Sequence, residues 1–193
     1  MLPATRPSAG FSLIDIMMSV AVLCIIASAS VPSLMHVVNG MKLGQAQRDV
    51  YQEMQTARLI AVSSNRPIRI RFNCPSAGQY RLTELIGSPT RPDPADSAAD
   101  RCSDTKWKYP ANDNDPTTRP NRDGPVRRLP VAVTFETAAA LEFWPDGTVH
   151  RQVGGESPWE QVSAAGGTVV TIAKNKIVKT ISVSGLGKIQ LLP

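Results

Sequence analysis

Residues Gly10–Met35 read GFSLIDIMMSVAVLCIIASASVPSLM, and this stretch decides how the rest of the chain is read. A single charge, Arg6, precedes it, and from Ile16 to Asn39 no residue carries a formal charge. The core of that run, Ile16–Met35, spans 20 residues. As a helix it is long enough to cross the hydrocarbon layer of a bilayer. Arg6 favours keeping the N-terminal end in the cytoplasm, so the bulk of the chain would face outward. A secretory signal is one reading, because Ala27-Ser28-Ala29 resembles a small-x-small cleavage site. A plain membrane anchor is another. Asp15 counts against both. A lone acid inside an apolar block costs about a few kcal/mol or more unless a partner neutralises it, and neither a signal nor a bland anchor has a use for one.

GFSLID followed by an apolar run resembles the prepilin leader motif of type IV pilins and type II secretion pseudopilins. The resemblance implies cleavage after the glycine by a prepilin peptidase, at the Gly10–Phe11 bond. It also implies N-methylation of Phe11 as the new N-terminus. The acid this family carries five residues after the glycine is normally glutamate; here Asp15 holds the place, one methylene shorter. Its implied role is to pair with the α-amino group of a neighbouring subunit. Pro32 falls where major pilins commonly carry a helix-kinking proline, which removes one helix hydrogen bond. Residues 1–10 are then the leader and 11–35 the transmembrane and assembly helix.

The helical pattern runs on. Leu43, Ala46, Val50, Met54, Ala57 and Ala61 recur at spacings of three and four, one apolar face of a helix. Lys42, Gln45, Arg48, Gln52 and Gln55 occupy the other side. The stripe reads as a packing face, with a groove-binding partner helix as the minor alternative. Gly40 and Gly44 weaken the helix just past the apolar run. Pro67 cannot continue it and Asn65 tolerates a left-handed cap, so the end is expected near Ser64-Asn65. Residues 36–66 are thus expected to be an amphipathic helix packed on a head.

Beyond Pro67 the period becomes two. Ile68, Ile70 and Phe72 alternate with Arg69 and Arg71, a half-buried strand. Cys74–Gly78 is a turn and Gln79–Ile86 a second strand, which together predict a hairpin. Further strands are expected over Val131–Glu136, Leu141–Trp144, Thr148–Val153, Thr168–Ala173, Ile177–Ser184 and Lys188–Leu192. Pro145-Asp146-Gly147 is a turn signal, since proline presets φ and glycine accepts positive φ. The expected fold is α+β: a long, partly transmembrane N-terminal helix against a mostly antiparallel β head at 67–193. The stretch Gly87–Arg128 holds seven prolines and seven aspartates and few large apolar residues. It is either a disordered insertion or a functional surface loop, with Trp107 and Tyr109 as its substantial anchors.

Of three cysteines, Cys24 lies in the apolar run as a small hydrophobe. If the remainder lies outside the cytoplasm, Cys74 and Cys102 are the plausible disulfide pair; the alternative is two unpaired thiols.

Three head segments extend the resemblance. Ala57–Ala61 with Asn65–Ile70 looks like the helix-to-strand junction of the GspH/FimT family of minor pilins and pseudopilins. Phe143-Trp144-Pro145-Asp146-Gly147-Thr148-Val149 resembles that family's F-x-P-D-G-T hairpin, and Ile181–Gly185 with Gly187–Ile189 resembles its closing strands. Gly87–Arg128 has no counterpart in the resemblance.

No catalytic constellation is legible, and no cofactor is expected. His36 and His150 are far apart, no cysteine–histidine spacing suggests zinc, and no phosphate loop is present. Asp113, Asn114 and Asp115 offer oxygen ligands but lack EF-hand spacing, so they read as solvated acid. The net charge of +5 permits attraction to anionic lipid or nucleic acid. Some FimT-type minor pilins bind DNA through a C-terminal G-R-x-R motif; the matching stretch here, Gly187-Lys188-Ile189-Gln190, keeps one basic residue. Lys174, Lys176, Lys179 and Lys188 are the candidate DNA contacts, and a solvated surface with lysines guarding strand edges is the rival reading. The implied function is a non-enzymatic minor pilin or pseudopilin, assembling with other pilins into a type IV pilus or type II secretion pseudopilus. It would start in the inner membrane with its head in the periplasm, and the alternative is a DNA receptor for natural transformation.

Overall fold

The computed structural model describes residues 12–88, 91–110, 117–152 and 159–192, without the side chains of 29–33 and 36. The chain divides into two units, Met1–Gly40 and Met41–Pro193. Helix α1, Leu13–Ser64, begins in the first and ends in the second, and its assignment is continuous through Gly40 and Gly44. It stops where expected. Asn65 adopts φ 51°, and Arg66 N–H reaches back to Ala61 O at 3.2 Å, the bond that closes a left-handed helix end. Among the described residues no helix is long and apolar enough to cross a membrane. The expected span includes residues 29–33, whose side chains are outside the description.

The second unit is two antiparallel sheets around one core. The first sheet has strand order β3-β2-β1-β5-β6-β7 and the second β10-β9-β8-β4. The strands are β1 Ile68–Phe72, β2 Gln79–Glu84, β3 Arg127–Arg128, β4 Thr134–Thr137, β5 Leu141–Phe143, β6 Val149–Gln152, β7 Trp159–Gln161, β8 Thr168–Lys174, β9 Ile177–Val183 and β10 Ile189–Leu192. Eight of these fall inside or within a residue of the expected strands. The other two, β3 and β7, are only two and three residues long and too short to carry a period.

The helical stripe is the centre of the core. Leu43, Ala46, Val50, Met54, Ala57 and Ala61 are all at 0% exposure. They meet Ile68, Ile70, Leu82, Leu141 and Phe143 from the first sheet and Val170, Ile172, Ile181 and Val183 from the second. Burying each large side chain fully stabilises by about 1.5–3 kcal/mol relative to exposure. Three alanines in the stripe let strand side chains approach the helix backbone.

The other face of β1 departs from the half-buried expectation. Arg69 is buried and Arg71 half-buried, because residues 91–107 fold back over them. The described parts of Gly87–Arg128 are ordered structure of low regularity. They include two short 3-10 turns, Pro94–Ser97 and Ala99–Cys102, the first capped by the Asp93 carboxylate on Ala95 N–H. Cys74 and Cys102 form a disulfide with Cα atoms 5.6 Å apart, tying the β1–β2 turn to this segment. Of the two expected anchors, Tyr109 is 53% exposed, while Trp107 packs against the Arg101 guanidinium.

Candidate assembly site

Asp15 sits in the first turn of α1, where a negative charge complements the exposed N–H groups and the positive end of the helix dipole. Asp15 and Ile16 N–H both reach Ser12 O, at 3.1 and 3.4 Å, and Ser19 Oγ donates to Asp15 O at 2.7 Å. The side chain is exposed, and among the described residues no cation lies within ion-pair distance of it. Around it the helix is apolar on all sides: Leu13, Ile14, Ile16, Met17, Leu23 and Ile25 are each more than half exposed. A monomer leaves this surface uncovered. Lipid or like helices can cover it, and Asp15 then needs a cation of its own. Gly10 and Phe11, the expected processing pair, lie outside the described residues.

In the head, buried arginines hold the 87–128 segment down, chiefly through backbone carbonyls. Arg81 is fully buried. Its Nε donates to Gly124 O at 2.7 Å, Nη1 to Cys102 O and Ser103 O at 3.2 and 3.0 Å, and Nη2 to Trp107 O at 2.6 Å. Burial, ahead of the charges around it, holds its pKa below the usual arginine value. Arg101, also fully buried, forks onto Asp123, donates to Glu84 O at 2.8 Å and lies 4.4 Å from the Trp107 ring centroid. Arg69 pairs with Glu142 at 2.6 Å, donates to Asp96 O at 2.6 Å and stacks 4.3 Å from the Trp159 ring. Glu84, fully buried, answers Arg66 and accepts from Asn121 and Arg122 N–H. A planar donor fork can satisfy several carbonyls at once, which lysine cannot do. Sequence reading missed this cluster. Its one available signal was opposite charge: three arginines on two adjacent strands, followed by an aspartate-rich segment.

The four lysines do not converge. Lys174 is buried and its Nζ donates to Val131 O at 3.2 Å. Lys176 is exposed in the β8–β9 turn, where both Asn175 and Lys176 have positive φ. Lys179 is half-buried. Lys188 is exposed beside the far end of β9, where its N–H meets Ser184 Oγ at 3.1 Å. Strand β9 is seven residues long, so roughly 20 Å separates that end from Lys176. His150 lies against Trp144 with ring centroids 4.9 Å apart, and Asp113–Asp115 lie outside the described residues. Among the described residues no group of three histidine, cysteine, aspartate or glutamate side chains is placed to hold a metal.

Two solved structures with a related course of chain are crystal forms of the Pseudomonas aeruginosa type IV minor pilin FimU. One overlays with a TM-score of 0.44 at 18% identity, covering 78% of this chain and 88% of that one. The other gives 0.42 at 18% identity, covering 78% and 93%. No curated protein matches the sequence. The family model described as type II transport protein GspH matches residues 46–187, from within the packed half of α1 to the turn before β10. That match spans most of the chain and nine of the ten strands, so the chain belongs to the GspH family, a type IV pilin-like protein of the minor pilin and pseudopilin kind.

Proposed function

We propose that the chain is cleaved after Gly10 and assembles through the helix beginning at Phe11 into a type IV pilus or type II secretion pseudopilus, with its head at or near the tip. The observation that carries this reading is Asp15, with no cation in ion-pair reach among the described residues, inside an apolar surface exposed on all sides. Before assembly the apolar run is held in the inner membrane with the head in the periplasm. On transfer to a fibre, like helices replace lipid, and the carboxylate of Asp15 pairs with the α-amino group of a neighbour's methylated Phe11. That pairing offsets burial of the charge and fixes register between subunits. At the tip the head primes assembly or displays a binding surface. The family and fold are those of pilin-like structural proteins rather than enzymes.

The rival reading, a DNA-binding head, has less support. Of its four candidate lysines, Lys174 is committed to Val131 O and Lys188 lies far from Lys176.

The test is Asp15→Ala in the full chain, expressed with its fibre partners. Leader cleavage should remain normal while incorporation into sheared fibres is lost. Normal incorporation of that variant overturns the pairing role of Asp15.

A further inference from the structure

Arg71 and Arg81 stand directly opposite each other on adjacent antiparallel strands, a like-charge pairing that ordinarily costs stability. Neither is within ion-pair distance of an acid among the described residues. Arg81 is satisfied by four carbonyls. Arg71 is not: Nη1 donates to Ala98 O at 2.8 Å, and no hydrogen bond from its Nε or Nη2 is found among the described residues. Those two nitrogens are not sealed in the interior either. Nε and Nη2 form the edge of the guanidinium that grips a carboxylate through two parallel bonds.

Arg71 lines a cavity of about 470 Å³. One wall is Ala138, Ala139 and Ala140, the connection from β4 to β5. The lining also includes Asn73, Cys74 and Pro75 from the β1–β2 turn, Ala99, and Gln152 at the end of β6. The alanines are too short to fill the space. The disulfide holds Cys74, and strand pairing holds β1 beside β5, next to the cavity. Its electrostatics favour an anion. Burial comes first in disfavouring the charge on Arg71, followed by the like charges of Arg69 and Arg101. An anion at the free edge of Arg71 relieves both repulsions.

We propose that this cavity is a carboxylate-binding site of the head, with Arg71 as the residue that grips the ligand. It is separate from α1 and does not depend on the assembly reading. Such an edge grips phosphate as well, but Arg71 is the one charged residue among the lining residues, which matches the single charge of a carboxylate better than the larger charge of phosphate.

The test uses the full chain in detergent micelles with 15N-labelled arginine, following the Arg71 Nε–H resonance. The probes are acetate, the blocked peptide acetyl-Gly-Glu-Gly-amide, its Gln counterpart and inorganic phosphate. Acetate and the Glu peptide should each give a saturable shift. The Gln peptide should give none, and phosphate a weaker response. Saturation by the Glu peptide as well as acetate assigns the site to acidic side chains; saturation by acetate alone assigns it to small free carboxylates. R71K keeps the charge but not the fork, and should bind at least about tenfold more weakly, read from a neighbouring amide. Its fold is checked by an unchanged amide spectrum and a Cys74–Cys102 bond resistant to alkylation. The proposal is overturned by no saturable shift, by equal binding to R71K, or by phosphate binding as tightly as acetate.

Discussion

Asp146 shows how much one side chain can settle in a turn. Its Oδ1 accepts from Thr148 N–H at 2.9 Å and from Thr148 Oγ1 at 2.7 Å, while Gly147 takes φ +85°. These bonds, with the hydroxyl the larger, hold its carboxyl below the usual carboxylate range. A folded-state pKa below the unfolded value of about 3.9 stabilises the fold above that value, and the contribution is lost as pH falls through the folded pKa. Asp146 is exposed and its bonds are screened by solvent, so Asp146→Ala should lower stability by about 0.5 kcal/mol at neutral pH, the low end for a hydrogen bond. The gap should close toward pH 2 in chemical denaturation series. A gap independent of pH would show that the carboxylate is not its source. At the same scale, Arg69 and Arg81 show the limit of pattern reading. Alternation marks Arg69 as outward-facing, and only the segment folded over both arginines makes them buried.

The second half of α1 is the element whose reading from sequence fared best, because its signal is geometric. Residues three and four apart share a face whatever else the chain does. Met54 is fully buried in that face and Leu59, on the far side, is 69% exposed. Met54→Ala should cost about 3 kcal/mol by urea denaturation, through lost burial and the cavity left behind. Leu59→Ala should stay within about 0.5 kcal/mol. Comparable losses from the two variants would contradict the packing face. Strand edges were less legible. Strands β3 and β7 exist because a neighbour offers free backbone groups, with Tyr80 opposite Arg127 and Gln152 opposite Trp159. Nothing in a two- or three-residue segment announces that.

Across the head as a whole, the 87–128 segment is joined to the sheets by arginine forks, Asp96 and one disulfide. The Asp96 carboxylate accepts Ile86 and Gly87 N–H, both at 2.9 Å. Cys74 and Cys102 are 28 residues apart, so the bond restricts the unfolded chain by roughly 3 kcal/mol on the loop-entropy account. The double variant Cys74→Ser/Cys102→Ser should lose about that much stability and become cleavable by protease within residues 91–107. Unchanged stability and protease resistance would mean that the arginine contacts alone hold the segment.

The sequence by itself determined the helix and its end at Asn65, the core stripe, most of the strands and the Asp146 turn. All are local: each depends on spacing along one element or on the φ preference of one residue. The pairing of Cys74 with Cys102 was legible only as one of two alternatives. Tertiary structure alone decided that Arg69, Arg81 and Arg101 are buried, that Lys174 is unavailable, and that Arg71 borders a cavity with its donor edge free. Those outcomes depend on which backbone carbonyls a distant segment brings to a guanidinium. Carbonyls are the same at every residue, so composition and period carry no trace of where they arrive.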